Sequence, residues 1–309
     1  MHVLRCRFLF SVRVKAHPYL LLTLTSLFWA GNFVLGRAVK SSIPPISLGF
    51  WRWTVAFLIL LPFGIPHVRA QWPILRRNFP LLMIYGILGV LCFNTCVYIG
   101  LRSTTATNAL LINSVIPVLI VLLSRFFVAT AISPRQAAGI GISLFGVVTI
   151  ICRADPAVLL SLKINSGDAW ILLAVASWAL YTFLLRRRPD NLHPLAFLTS
   201  IIAIGLLPLS LLYVGEFSRV GGFSLNAANL ASVLYTALFP SVLAFIFWNQ
   251  AVREVGPSRA GLFLYLMPVF GAILSTVFLG EPFQLFHLVG MVLIFGGIQL
   301  TAATENKGG

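Results

Sequence analysis

Long apolar runs alternate with short polar connections along the whole chain. Each run is close to the about 20 residues that a helix needs to cross a bilayer. Because the runs are continuous and do not alternate apolar with polar positions, helices are favoured over a β-barrel. They predict ten helices, at residues 19–39, 46–66, 79–100, 105–128, 135–152, 168–186, 193–214, 229–251, 258–280 and 283–303.

The second half of the chain repeats the first. A gapless offset of 151 residues aligns Pro268 with Pro117, Ser275 with Ser124, Gly290 with Gly139 and Gly297 with Gly146. In the helices that open the two halves, an offset of 149 aligns Trp178 with Trp29. An internal repeat restricts the fold before any single element is assigned. Each half has five helices, an odd number, so the second half enters the membrane from the opposite side.

The predicted fold is therefore an all-α integral membrane protein whose ten transmembrane helices form two inverted five-helix repeats. The expected organisation is a basic cytoplasmic tail at 1–17, a first repeat at 18–152, a connecting loop at 153–167, a second repeat at 168–303 and a cytoplasmic tail at 304–309. Inverted helical repeats are typical of secondary transporters, whose substrate sites lie near the membrane midplane between the repeats.

Composition supports a lipid environment. The chain is 59% hydrophobic and 9% charged, with a mean hydropathy of +0.97, whereas soluble domains have about 25% charged residues. The net charge of +15 is explained by basic loops, so no nucleic-acid partner is expected. With the N-terminus inside, 15 of the 22 Lys and Arg residues are cytoplasmic, which predicts that both termini are cytoplasmic. A multi-pass protein of a bacterial inner (plasma) membrane is expected.

Several stretches carry a family resemblance: FWAGNFVLGRAV, PPISLGFWRW, ATNALLINSVIPVL and MPVFGAILSTVFLGEPFQLFHLVGMVLIFGG. They resemble the EamA-type, ten-helix members of the drug/metabolite transporter superfamily over nearly all of residues 19–303. The resemblance implies export or uptake of small metabolites and leaves the solute open. The chain departs from it once, because the first repeat has Ala129-Thr130 where the second has Gly280-Glu281.

The acidic residues all fall at predicted helix ends, in loops or in the tail. This placement argues against proton exchange through an intramembrane carboxylate. The sequence contains no His-Glu-x-x-His helix and no Gly-x-Ser-x-Gly elbow, and it predicts neither an enzyme nor a bound metal or cofactor. A membrane-embedded enzyme acting on a lipid-linked substrate remains the alternative, and a non-transporting receptor or scaffold is a third possibility.

Polar and aromatic residues inside the predicted helices are the candidates for a substrate cavity. An unpaired amide in lipid costs several kcal/mol, so these faces are expected to point into the bundle. Their recurrence in both halves favours a cavity, although interhelical hydrogen bonding by the same residues stays open. The candidate substrate-binding residues are Trp29, Asn32, Asn94, Tyr98, Ser114, Trp178, Tyr181, Asn249 and Tyr265.

Pro117 and Pro268 lie at equivalent places and predict hinges, or else static bends, since proline breaks a helical hydrogen bond. Glu281 is a candidate cap or gate before the last helix. Two interpretations of Arg37 and Arg52 remain open, a cationic vestibule for anionic substrates or side chains that reach up to the headgroups. Trp51 and Trp53 fit an interfacial anchor.

The function predicted from the sequence is secondary transport of small organic metabolites or drugs by alternating access through a central cavity. Export is the expected direction. The expected partners are the small-molecule substrate and the lipid bilayer.

Overall fold

The structure, a computed structural model, describes residues 16–39, 41–100, 102–104, 106–129, 132–163, 165–280 and 282–302. Glu281, the side chain of Arg37 and most of both terminal tails lie outside the described residues. Within these ranges the chain forms helices and connections and has no strand.

The described chain forms ten apolar helices, and two short helices, Trp72–Arg77 and Pro156–Leu160, lie in the connections. Nine of the ten are long and apolar enough to span a membrane, and the last is a shorter apolar helix. They are α1 Pro18–Val39, α2 Pro45–Ala70, α3 Phe79–Gly100, α4 in two pieces at Ala106–Asn113 and Ile116–Val128, α5 Pro134–Ile151, α6 Ser166–Arg187, α7 Pro194–Val220, α8 Ala227–Val255, α9 Pro257–Phe278 and α10 Leu285–Ala302.

The outer surface of the bundle is apolar. Large side chains such as Phe63, Leu207, Leu211 and Phe278 are between 63% and 74% exposed. A water-soluble protein rarely exposes so much contiguous apolar surface, whereas in lipid this surface is matched to its solvent. The protein is thus a multi-pass integral membrane protein.

Helices α5 and α10 show how the two repeats are related. A Cβ added at Gly139 would lie 2.5 Å from the Gly297 carbonyl oxygen, and one added at Gly146 would lie 2.7 Å from that of Gly290. The helices therefore run antiparallel, and these two contacts exchange when each residue is shifted by 151 positions. A two-fold axis relating antiparallel neighbours is perpendicular to them. That axis lies in the membrane plane, which confirms the inverted repeats.

The repeats interlock through their first helices. Helix α1 packs against α8 and α9 of the second repeat, and its equivalent, α6, packs against α3 and α4 of the first. Helices α2 and α7 pack against each other. Most of the buried core, including Trp53, Tyr85, Tyr181 and Trp248, lies between the two repeats.

Four helices depart from regular α geometry at equivalent places. A π-helical turn occupies Gly86–Cys92 in α3 and, 151 residues later, Ala237–Leu243 in α8. Helix α4 is interrupted after Asn113, and α9 contains a 3₁₀ turn at Phe263–Tyr265. The interruption of α4 precedes Pro117, and the 3₁₀ turn of α9 precedes Pro268. Each of these predicted hinge prolines removes a hydrogen bond to the carbonyl four residues earlier. Such local departures often mark functional hinges.

Candidate functional site

A cavity lies between the two repeats, where α1, α2, α3 and α4 meet α6, α8 and α9. The space open to the centre of a water molecule is about 40 Å³, which holds about three waters at roughly 10–15 Å³ each. A larger organic molecule therefore requires the helices to move apart. The lining residues are Trp29, Asn32, Phe33, Arg52, Phe93, Asn94, Asn113, Ile116, Trp178, Phe245, Leu264 and Met267.

The polar part of the lining comes from one repeat only. Its amide and charged residues, Asn32, Arg52, Asn94 and Asn113, all belong to the first repeat. The equivalent positions in the second repeat are Tyr181, Ile201, Phe245 and Leu264. The cavity thus lacks the recurrence of polar faces expected from the repeat, and the two repeats share a fold while differing in chemistry.

Arg52 is the charged residue among the described lining residues. Its side chain is 2% exposed; Nε donates to Ser241 Oγ at 2.9 Å and Nη1 to Asn94 Oδ1 at 3.3 Å. The guanidinium also lies 5.2 Å from the centre of the Trp53 ring. The interpretation of Arg52 as a headgroup-reaching residue is therefore wrong. So is that of Trp53 as an interfacial anchor, since its side chain is 0% exposed.

An aromatic cluster forms one wall of the cavity. The rings of Trp29 and Trp178 meet edge to face with centroids 5.0 Å apart, and Phe245 lies 5.5 Å from Trp178. Trp29 Nε1 donates to the Pro240 carbonyl oxygen at 3.0 Å. Pro240 belongs to the π-helical turn of α8. This turn therefore contacts the cavity through Trp29 as well as through the Ser241–Arg52 hydrogen bond.

Four of the nine predicted binding residues line the cavity: Trp29, Asn32, Asn94 and Trp178. Tyr181 and Asn249 are instead buried partners, with Tyr181 Oη donating to Asn249 Oδ1 at 2.8 Å. Their role in binding stays a prediction, and the structure places them where interhelical hydrogen bonding accounts for their polarity.

Tyr98, Ser114 and Tyr265 lie away from the lining. The Tyr98 ring packs beside Gly49 of α2. Ser114 Oγ donates to the Leu111 carbonyl oxygen at 2.6 Å, at the interruption of α4. Tyr265 is buried in an apolar cluster with Val147 and Ile294 of α5 and α10.

The two prolines flank the cavity without lining it. Asn113 and Ile116 precede Pro117, and their equivalents Leu264 and Met267 precede Pro268; all four line the cavity. A change in the angle of either helix at its proline would move these side chains. The hinge role of Pro117 and Pro268 stays a prediction. The predicted cap or gate, Glu281, lies outside the described part of the chain.

The sequence interpretation missed most of the apolar lining and did not place Arg52 in the central cavity. Arg52 lies seven residues after the start of α2 at Pro45, which is about 10 Å into the helix at about 1.5 Å per residue. A charge at that depth usually faces the bundle interior. This spacing was the available signal. The missed lining residues are Phe33, Arg52, Phe93, Asn113, Ile116, Phe245, Leu264 and Met267.

Buried carboxylates occur only at helix ends among the described residues. Glu216, in the last turns of α7, accepts hydrogen bonds from the backbone N–H groups of Ile46 and Ser47 at the start of α2, at 3.1 and 2.6 Å. Asp168 caps the start of α6 through Asn165. No three His, Cys, Asp or Glu side chains in the described chain come close enough to hold a metal ion.

Comparison with known proteins gives a consistent picture. The pattern of the EamA-like transporter family matches residues 17–152 and 165–303. The chain is 30% identical to the uncharacterized transporter YyaM of Bacillus subtilis (strain 168), over 92% of this chain and 93% of that protein. It is 27% identical to a probable terminal-alkyne amino-acid exporter of Streptantibioticus cattleyicolor, over 90% and 91% of the two chains.

A solved crystal structure superposes with a TM-score of 0.77 over 94% of this chain and 98% of the other, at 18% identity. This likeness supports the fold alone. The family and these relatives are transporters, so the alternative of a membrane enzyme has no support, and the prediction that the chain is not an enzyme is confirmed. The protein belongs to the EamA-like transporter family.

Proposed function

We propose that the protein is a secondary transporter that moves a small organic metabolite or drug through the cavity between its two repeats by alternating access. The observation that carries this proposal is the position of the cavity. It lies at the interface of two inverted repeats and is lined by helices from each of them. Secondary transporters with inverted repeats bind their substrates at such an interface.

The equivalence of the repeats supports alternating access. If each repeat can adopt the conformation of the other, exchanging the two conformations turns a cavity open to one side into a cavity open to the other. The π-helical turns of α3 and α8 and the interruptions of α4 and α9 supply flexible points at equivalent places. Movement at these points would enlarge a cavity that now holds about three waters.

Export is the proposed direction, with both termini in the cytoplasm and the protein in the bacterial inner membrane. The relative from Streptantibioticus cattleyicolor is named as an exporter of an amino acid, a small organic solute. The excess of Lys and Arg in the segments on the side of the N-terminus supports the orientation.

Solute flux in proteoliposomes tests the proposal. Amino acids, nucleosides and cationic dyes are first screened for thermal stabilisation of the purified protein, since a ligand that binds only the folded state raises its stability. The solutes that stabilise it are then loaded into proteoliposomes, and their release is measured. We expect release to depend on the protein and to fall at least tenfold in Asn32→Ala and Asn94→Ala.

Asn191→Ala is the matched control, because Asn191 is exposed in the connection before α7. It should leave flux unchanged. Equal flux in liposomes with and without the protein, for every solute that binds, would contradict transport. Unchanged flux in the two cavity variants would remove Asn32 and Asn94 from the site.

A further inference from the structure

We propose that the solute carries a carboxylate group and that Arg52 pairs with this carboxylate inside the cavity. The proposal rests on the proposed transport function and names the chemical class of the solute. The carboxylate would lie against Arg52 and the neighbouring amides. The organic body would lie against the aromatic and aliphatic side chains of the lining.

Arg52 has no counter-ion among the described residues. Among the described residues its contacts are neutral: the Ser241 hydroxyl, the Asn94 amide oxygen and the Trp53 ring. The side chain is 2% exposed, and arginine keeps its positive charge inside proteins. A buried charge without a counter-ion is costly, and neutral hydrogen-bond acceptors offset only part of that cost.

The unused donors of Arg52 are available to a ligand. A guanidinium has five N–H donors, and two of its nitrogens, Nε and Nη1, donate to Ser241 and Asn94. Arg52 is itself a lining residue of the cavity. An anion placed there would supply the missing negative charge, and a carboxylate can accept two parallel hydrogen bonds from one guanidinium.

The rest of the lining favours an organic monoanion. Arg52 is the one cation among the described lining residues, so a dianion such as phosphate would leave one buried negative charge uncompensated. The second repeat contributes only apolar and aromatic residues to the lining, Trp178, Phe245, Leu264 and Met267. Walls of this kind bury an apolar body, while a few polar groups fix its orientation.

The charge belongs to one repeat only. The position equivalent to Arg52 in α7 is Ile201, an uncharged residue that is 0% exposed. The carboxylate would therefore stay with α2 of the first repeat while the bundle opens to either side. The repeat symmetry supplies the movement, and this asymmetry supplies the chemical preference.

Matched pairs of carboxylates and amides test the proposal on the full-length purified protein. Acetate, hexanoate and phenylacetate are compared with acetamide, hexanamide and phenylacetamide by thermal stabilisation and by direct binding. Sodium phosphate and sodium chloride serve as inorganic anion probes. We expect at least one carboxylate to bind at least tenfold more tightly than its amide, with phosphate and chloride giving no comparable effect.

Three variants complete the design. Arg52→Gln should abolish the preference for the carboxylate over its matched amide, and Arg52→Lys should retain part of the preference. Arg69→Gln removes an equal charge from an exposed position at the end of α2 and should behave as wild type. If Arg52→Gln does not fold, the comparison of carboxylates with amides on the wild-type protein decides.

Amides that bind as tightly as carboxylates, no binding by any carboxylate, or equal competition by phosphate or chloride would overturn the assignment. These outcomes are distinguishable from failure of the proposed transport function. Protein-dependent flux of neutral solutes with no advantage for carboxylates would overturn only the role of Arg52. An absence of flux for every solute that binds would overturn the transport function itself.

Discussion

Polar residues inside the bundle divide into those that do not line the cavity and those that line it. Tyr181 and Asn249 belong to the first kind, because each is the hydrogen-bond partner of the other and both are nearly fully buried. Asn32, Asn94 and Arg52 belong to the second. Under the proposed function, we expect the first group to contribute to stability and the second to contribute to solute affinity.

We expect Tyr181→Phe to lower the free energy of unfolding by about 1–3 kcal/mol, because the Asn249 amide is then buried without its partner. Solute affinity should stay unchanged. Thermal denaturation and solute binding, measured on the same preparation, check both parts. Tyr213→Phe is the control, since Tyr213 is only partly buried and accepts a hydrogen bond from the exposed Trp51. Unchanged stability with weaker solute binding would instead favour a direct binding role for Tyr181.

His193 provides a pH-dependent feature at the start of α7. Its Nδ1 accepts a hydrogen bond from the Leu195 N–H at 3.3 Å, and its ring stacks on His67 with centroids 3.6 Å apart. Burial, together with the neighbouring His67 and Arg188, lowers the pKa of His193 to about 4. In the unfolded chain the pKa of histidine is about 6.5, so between these values the unfolded state binds a proton that the folded state does not.

Stability is therefore expected to fall as the pH drops from about 6.5 to about 4. His193→Asn, which keeps a capping side chain, should reduce this fall. The measurement is the thermal midpoint of the purified protein across that pH range. His17→Asn is the matched control, because Nδ1 of the exposed His17 accepts a similar local hydrogen bond from the Tyr19 N–H. An identical pH dependence in His193→Asn and wild type would show that His193 is not responsible.

Arg52 shows the limit of sequence interpretation at the residue scale. The sequence indicates that a charge lies within the second helix. It does not show that the Ser241 hydroxyl and the Asn94 amide are the neighbours of that charge. Those partners come from other helices, and only the packing of the bundle brings them to the guanidinium. For the same reason Tyr181 and Asn249 could be predicted to face inward but not to face each other.

At the scale of helices, the crossing of α5 and α10 depends on glycine. A side chain at Gly146 would meet the Gly290 carbonyl oxygen at 2.7 Å, a distance that forces the helices apart. Gly141, on the same helix, has nothing within 4 Å of an added Cβ. Substitutions at these two positions therefore distinguish the effect of helix packing from that of helix propensity.

Gly146→Ala is expected to destabilise the protein by about 1–3 kcal/mol through overpacking. Gly141→Ala should be neutral or stabilising by up to about 1 kcal/mol, because alanine favours helix more than glycine does. Thermal midpoints and the yield of monodisperse protein check the pair. Equal behaviour of the two variants would contradict the close crossing of α5 and α10.

The sequence predicts the helices well and their irregularities poorly. Apolar runs locate all ten helices. Helix α7 extends to Val220, past the predicted residue 214, and its last turns include Glu216, which accepts a hydrogen bond from the Ser47 N–H. Helix α6 begins at Ser166, since Asn165 and Asp168 form a capping box. The π-helical turns of α3 and α8 leave no comparable signal in the sequence.

At the scale of the whole molecule, the repeat alone predicts the inverted architecture. The equivalence of Gly139 with Gly290 and of Gly146 with Gly297, seen first as a sequence match, becomes the two-fold contact of α5 with α10. The polar asymmetry of the cavity could not be obtained from the repeat, because it arises where the two halves differ. In the proposed mechanism, the movement depends on what the two halves share, and the selectivity depends on how they differ.

Access to the cavity from the two sides of the membrane tests this account most directly. The four native cysteines, Cys6, Cys92, Cys96 and Cys152, are replaced, and a single cysteine is introduced by Asn113→Cys in the cavity lining. Ala174→Cys, at a position that is 0% exposed in the packed core, is the control. A membrane-impermeant thiol reagent is then added to either side of vesicles of known orientation.

Alternating access predicts that the cysteine at position 113 is modified from either side, while the one at position 174 is modified from neither. Modification of position 113 from one side only, or from neither, would contradict the claim that the cavity between the repeats opens in turn to both faces of the membrane.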